Sequence, residues 1–131
     1  MAGRCNLAGG WQGGCVSAHA DVAVIGGSGF YSFVQTSESV RVITPYGDAS
    51  GEVAIGEVAG RSVAFLPRHG AGHQFPPHRI NYRANLWALR SLGVGQVLAP
   101  CAVGGLRHEV APGDIVVPDQ LVDAVTSLGG D

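Results

Sequence analysis

The stretch Asn81-Tyr82-Arg83-Ala84-Asn85-Leu86-Trp87-Ala88-Leu89-Arg90-Ser91-Leu92-Gly93-Val94-Gly95-Gln96-Val97-Leu98-Ala99 changes its period part-way along. Tyr82, Leu86, Leu89 and Leu92 stand at i, i+4, i+7 and i+10, the spacing of one face of a helix. Asn81 is placed to cap that helix, and Gly93 to end it in a left-handed turn. Gln96-Val97-Leu98-Ala99 then reads as a strand that breaks at Pro100. Upstream, Val22-Ala23-Val24-Ile25 is a short β-branched run stopping at Gly26-Gly27, the pattern of a buried strand of the parallel kind. Glu52-Val53-Ala54-Ile55, a turn at Gly60-Arg61 and Ser62-Val63-Ala64-Phe65-Leu66 together predict a hairpin. Between that hairpin and the helix, residues 67–79 hold Gly70, Gly72, Pro76 and Pro77 and predict an irregular loop. A helix between apolar strands marks the α/β class, here a mixed sheet with flanking helices. Beyond a turn at Pro112-Gly113, Ile115-Val116-Val117 is expected to add a strand, and Asp119-Gln120-Leu121-Val122-Asp123 to begin a further element. No covering helix follows, so the sheet is expected to be truncated, or its cover to be supplied by a partner.

Composition narrows the partners. The chain has 131 residues, 46% hydrophobic and 14% charged, with a formal net charge of -2. All of its basic residues are arginines, 8 against 10 acids. This balance argues against a nucleic-acid or membrane-surface partner, both of which need a positive field. No apolar run approaches the roughly 18 residues of a membrane span. Glycine supplies 21 residues without a period of three, over twice the usual share of about 7%, which points to turns and close backbone approach. Three cysteines, Cys5, Cys15 and Cys101, form an odd set without CxxC spacing, so a reducing, cytoplasmic setting is expected. Residues 1–20 read as a loose leader, 21–123 as the body of a domain, and 124–131 as a divergent tail.

Several strand ends could carry chemistry. Gly26-Gly27-Ser28-Gly29 follows the first strand, where backbone N–H groups and the Ser28 hydroxyl can converge on an anion. A dinucleotide fingerprint would need a third glycine, but Phe30-Tyr31-Ser32 follows. An NTPase loop needs a lysine, and a nucleophile elbow needs glycine where Phe30 stands. The bland alternative is a tight turn. Arg68-His69-Gly70 lies at the next strand end, offering a planar fork suited to phosphate and an imidazole; alone, such an arginine would read as one half of a surface salt bridge. His69, His73 and His78 are candidate metal ligands by residue type, but Gly70, Gly72 and two prolines forbid the helix their spacing requires, and no metal is expected. Cys101, after Pro100, is read as a small buried residue whose neighbouring amides bind. A thiol or serine hydrolase built on Cys101 or Ser28 is the remaining enzymatic alternative.

VAVIGGSGFY at 22–31, TPYGDASGEVAIG at 44–56, FLPRHGAGHQFPPHRINYRANLWALRSLG at 65–93, APCAVGGL at 99–106 and PGDIVVPDQLVD at 112–123 occur in this order. Together they resemble the methylthioadenosine phosphorylase branch of the trimeric purine nucleoside phosphorylases, over 22–123. The resemblance implies the phosphorylase-type nucleoside fold, and phosphorolysis of S-methyl-5′-thioadenosine to adenine and 5-methylthioribose 1-phosphate. Inosine or guanosine is the alternative substrate, and a non-catalytic phosphate-binding or oligomer-forming remnant the alternative role. It implies no cofactor, inorganic phosphate being a co-substrate, and a homotrimer. Ser28, Arg68 and His69 match the family's phosphate ligands, supported by Gly26, Gly27 and Gly29. Cys101-Ala102 matches a further phosphate-contacting pair, at which many relatives carry threonine then alanine. The family's purine-holding acids, its methionine against the sugar and its last phosphate-binding threonine come from a second half. This chain is therefore expected to be an N-terminal half, incomplete in catalysis by itself, with a tail at Ala124-Val125 that leaves the family pattern of arginine then threonine.

Overall fold

A computed structural model describes residues 18–27 and 36–122. The chain divides into two compact units, Met1–Cys101 and Ala102–Asp131. The first unit is built on a five-stranded sheet. Its strands are β1 (Val22–Gly26), β2 (Thr36–Val40), β5 (Val53–Val58), β6 (Arg61–Pro67) and β7 (Gln96–Leu98), in the order β2-β5-β6-β1-β7. A two-stranded ladder joins β3 (Ile43–Thr44) to β4 (Gly47–Asp48). The sheet is mixed: β1 runs parallel to both β6 and β7, whereas β5 is antiparallel to β2 and β6. The run at 22–25 thus has parallel neighbours on both sides, as its β-branched composition requires.

The hairpin forms one residue away from the expected turn. Val58 pairs with Arg61, so the two-residue loop is Ala59-Gly60, with φ of 51° and 75°. Two positive φ values make the twist of a primed turn, which matches the twist of the strands it joins. Along β6 the side chains alternate: Ala64 and Leu66 join the larger core with Ala23, Val53 and Ile55, while Val63 and Phe65 join Val24 on the opposite face.

The helix α1 (Tyr82–Ser91) has both expected caps. Asn81 Oδ1 accepts from Ala84 N at 3.2 Å. At the other end Gly93 takes φ of 88°, its N–H bonds Arg90 O at 3.1 Å, and Val94 N bonds Leu89 O at 3.3 Å. This pair of bonds, with Val94 packed in the core beside Leu89, is the Schellman arrangement. The buried face, however, differs from the expected one. Leu89 and Leu92 are buried, but Tyr82 and Leu86 are each 54% exposed. The stripe facing the sheet is Ala84, Asn85, Ala88 and Leu89, whose two alanines leave room for close approach, and whose asparagine is satisfied by a distant partner. Among the described residues α1 is the one α-helix, so the expected flanking helices reduce to it and a 3₁₀ turn (Pro77–Arg79).

The loop expected at 67–79 is irregular apart from that turn. The end of the expected leader is packed: Ala20 is buried, its N–H bonds Leu92 O at 3.0 Å, and Asp21 N bonds Ser62 O at 3.0 Å. Residues 1–17 and the expected tail, 124–131, lie outside the described residues. In the second unit, residues 102–122 contain turns but no strand or helix. The Pro112-Gly113 turn is present, Gly113 having φ of 99° and Asp114 N bonding Ala111 O at 3.1 Å. The strand expected at 115–117 does not form. Ile115 is 94% exposed, and a strand needs a neighbour to take its N–H and C=O groups; none pairs with it among the described residues. The element expected from Asp119 is likewise absent through Val122. No helix among the described residues is long and apolar enough to cross a membrane.

Candidate functional site

Parallel strands bring their carboxyl ends to one side of a sheet, and in this chain β7, β1 and β6 do so in adjacent positions. Arg68 directly follows β6. Its N–H extends the ladder by donating to Gly26 O at 2.8 Å, which sets the side chain beside the end of β1. From there the guanidinium crosses the strand ends. Nη2 donates to Ile25 O at 2.9 Å and to Pro100 O at 2.9 Å, and Nη1 donates to Cys101 Sγ at 2.8 Å. The thiol in turn lies 3.6 Å from Ala99 O.

A guanidinium carries five N–H donors, so this clamp leaves two of them for other acceptors. The partners in the clamp are neutral carbonyls and a thiol. Among the described residues the ion pairs are His19–Asp21 and Arg41–Asp48, so no carboxylate neutralises Arg68. Half-buried and fixed in orientation, it presents its positive charge at the strand ends.

His69 is held from the following loop. Its Nδ1 lies 2.9 Å from Phe75 O, and Phe75 N donates back to His69 O at 3.0 Å. Gly70 makes the loop possible: its φ is 78°, and a Cβ there would lie 2.5 Å from the Gln74 carboxamide. The Gln74 side chain in turn accepts from Gly72 N at 3.0 Å. His73, with φ of 55°, stacks its ring on His69 with centroids 5.1 Å apart and planes at 19°. His78 sits in the 3₁₀ turn and is exposed. Among the described residues no group of three or more His, Cys, Asp or Glu side chains gathers to hold a metal ion.

Of the residues singled out in the sequence, Arg68, His69, Cys101, Gly26 and Gly27 are therefore placed at or beside the ends of β1, β6 and β7. Cys101 is exposed rather than buried, a correction that follows from its place beyond an edge strand whose residues are themselves exposed. Ala102 is exposed and opens the second unit. Ser28 and Gly29 lie outside the described residues. Sequence reasoning did not find the carbonyls of Ile25, Pro100 and Phe75, because main-chain acceptors leave no mark in side-chain pattern.

This arrangement accompanies a family match over residues 21–130, to the phosphorylase superfamily. The chain belongs to the phosphorylase superfamily. Within that superfamily it is 68% identical over 108 residues to a purine nucleoside phosphorylase of Streptomyces coelicolor, covering 82% of this chain and 39% of the relative. It is 54% identical over 113 residues to an S-methyl-5′-thioadenosine phosphorylase of Hyperthermus butylicus, covering 85% and 41%. Among solved structures, it matches methylthioadenosine phosphorylase from Schistosoma mansoni at 42% identity with a TM-score of 0.68, over 72% of this chain and 34% of that one. The chain thus spans about two fifths of the length of the curated relatives it matches. The superfamily read from the ordered motifs, and the mixed α/β sheet, are both borne out.

Proposed function

We propose that this chain carries the phosphate half of a purine-nucleoside phosphorylase site. Arg68, His69, Ser28, Cys101 and the Ala102 N–H would hold inorganic phosphate, with Gly26, Gly27 and Gly29 allowing the backbone to approach. The observation that carries this reading is the Arg68 clamp, an arginine fixed by neutral acceptors with its charge left over for an anion. The substrate favoured is S-methyl-5′-thioadenosine, the compound in the name of the Hyperthermus butylicus relative. The name of the Streptomyces coelicolor relative favours, as a second reading, another purine nucleoside such as inosine or guanosine.

The chemistry follows from charge. A phosphate oxygen forms a bond to the ribose C1′ as the C1′–N9 bond breaks, and the electron pair of that bond leaves with the purine. Positive charge develops on the sugar in between, so a phosphate anion held beneath it is both nucleophile and electrostatic stabiliser. Hydrogenphosphate brings one proton, and the departing purine takes one up, so the reaction balances without a cofactor. By resemblance, the group that gives a proton to the purine would come from the second half that the family's site uses. We further propose a homo-oligomer, a trimer by resemblance, in the cytoplasm.

Two assays separate the readings. Phosphate is expected to raise the melting temperature of the purified chain, and Arg68→Ala to abolish the rise; a flat response in the wild type removes the phosphate reading. Phosphate-dependent release of adenine from S-methyl-5′-thioadenosine then distinguishes an enzyme from a phosphate-binding remnant, for which the thermal shift appears without turnover.

A further inference from the structure

The geometry of the 69–75 loop points to a specific role for the Phe75 carbonyl, and we propose that it makes His69 a hydrogen-bond acceptor at Nε2, so that the site takes phosphate as hydrogenphosphate through its remaining P–OH. This inference rests on the phosphate reading above and adds which protonation form the site selects and why.

A carbonyl oxygen has lone pairs and no proton, so the contact of 2.9 Å between His69 Nδ1 and Phe75 O requires the hydrogen to be on Nδ1. A neutral imidazole has one N–H. With that hydrogen committed to Phe75, Nε2 carries a lone pair and accepts. The alternative tautomer would set two lone pairs against each other and break the contact.

The loop is built to keep this carbonyl in place. Phe75 N donates to His69 O at 3.0 Å, closing a two-bond ring between the same pair of residues. Gly70 N bonds Pro67 O at 3.2 Å and His73 N bonds Gly70 O at 3.1 Å, so each half of the loop is a tight turn. The His73 ring stacks, offset, against the His69 ring. Phe75 is thus a positioning residue that acts through its main chain.

The consequence is selectivity between two tetrahedral dianions of similar size. Hydrogenphosphate has one P–OH to donate to Nε2, while its other oxygens accept from the Arg68 guanidinium. Sulfate has no proton, and would press an oxygen lone pair against the Nε2 lone pair. An unpaired or repulsive polar contact in a partly desolvated site is the usual source of strong discrimination between otherwise matched ligands.

The test uses the full chain at pH 8. Long-range ¹H–¹⁵N correlation of the imidazoles, with His69 assigned by its loss in His69→Asn, is expected to report the Nδ1–H tautomer. In Gly70→Ala, which disturbs the loop, the spectrum is expected to become a mixture of tautomers. Calorimetry at matched ionic strength is expected to give phosphate at least tenfold tighter than sulfate. His69→Asn retains a donor for Phe75 O but places nothing at Nε2, and is expected to bring the two anions to equal affinity. An Nε2–H tautomer in the wild type, or equal binding of phosphate and sulfate by it, overturns the inference and leaves the phosphate site standing. Binding of neither anion overturns the phosphate reading, and the inference with it.

Discussion

Asn85 stands 1% exposed on the inner face of α1, in a row otherwise made of alanine and leucine. Its Oδ1 accepts from Ser50 N at 2.7 Å and its Nδ2 donates to Ser50 Oγ at 2.9 Å. Ser50 is itself buried. Replacing Asn85 by alanine removes two hydrogen bonds, worth about 1 kcal/mol each in net stability, and strands a buried N–H at a penalty of about 1–3 kcal/mol. These overlap, and the gain in helix propensity returns up to about 0.7 kcal/mol, so the expected loss is about 2–3 kcal/mol. For a domain of this size that lowers the melting temperature by roughly 10–20 °C. The measurement is the urea unfolding midpoint at constant slope. Asn85→Leu sharpens it: burying a larger apolar side chain should stabilise if hydrophobicity ruled this face, whereas the stranded Ser50 N–H demands a loss. A leucine variant as stable as the wild type would falsify this reasoning. The effect should also reach the site, because Gly51, next to Ser50, packs so close to Pro67 that a Cβ would lie 2.9 Å from its Cγ, and Arg68 follows Pro67.

Other outcomes are expected from single changes. Arg68→Lys keeps the charge but cannot reach Ile25 O, Pro100 O and Cys101 Sγ together, so phosphate should bind at least tenfold more weakly by calorimetry; unchanged affinity would speak against the clamp. Cys101→Thr replaces a weak sulfur acceptor with a hydroxyl against Arg68 Nη1, and phosphate affinity should rise several-fold; a fall would mean that the thiol itself matters. Ala59→Gly relieves a left-handed residue at φ of 51°. The strain removed, about 1–2 kcal/mol, exceeds the entropy that glycine adds, so the unfolding midpoint should move up by the equivalent of about 0.5–1 kcal/mol; a downward shift would show the turn to be unstrained.

What could be read from the sequence was local in origin. The caps of α1 were legible because Asn81 and Gly93 act on groups within a few residues of themselves. The strand at 22–25 was legible because a run apolar at every position has to be covered on both faces. The face of α1 was misread because Asn85 is satisfied by Ser50, 35 positions away, and a polar residue with a remote partner looks like a solvent-facing one. The hairpin slipped by one residue because alanine gives no sign that it will adopt positive φ. Ile115-Val116-Val117 has strand composition, but composition states a preference for being covered, not that a cover is present. At the site, arginine and histidine after a strand were visible, whereas Ile25, Pro100 and Phe75 contribute only carbonyls. Ser28 and Gly29, read with them, lie outside the described residues.

Arg68 and Arg41 show why the partners of a charge matter more than its presence. Arg41 Nη2 meets Asp48 Oδ1 at 3.3 Å on an exposed surface, a pair whose opposite charges cancel and whose net contribution is about 0–1 kcal/mol. Among the described residues Arg68 meets carbonyls and a thiol, which fix its direction and leave its charge uncancelled. Carbonyl oxygens at the ends of β1 and beyond β7 are free to do this because the ladder stops there, and the parallel arrangement of β7, β1 and β6 puts them within one guanidinium's span. An arginine kept for architecture alone would gain more from a carboxylate, which bonds more strongly than a neutral acceptor. One held by neutral groups is shaped for a negative partner that arrives from solution. Arg68→Ala should accordingly cost the folded chain less than the Asn85→Ala change, while removing more of the stabilisation by phosphate. The reverse order in paired unfolding curves, with and without phosphate, would make Arg68 a structural residue.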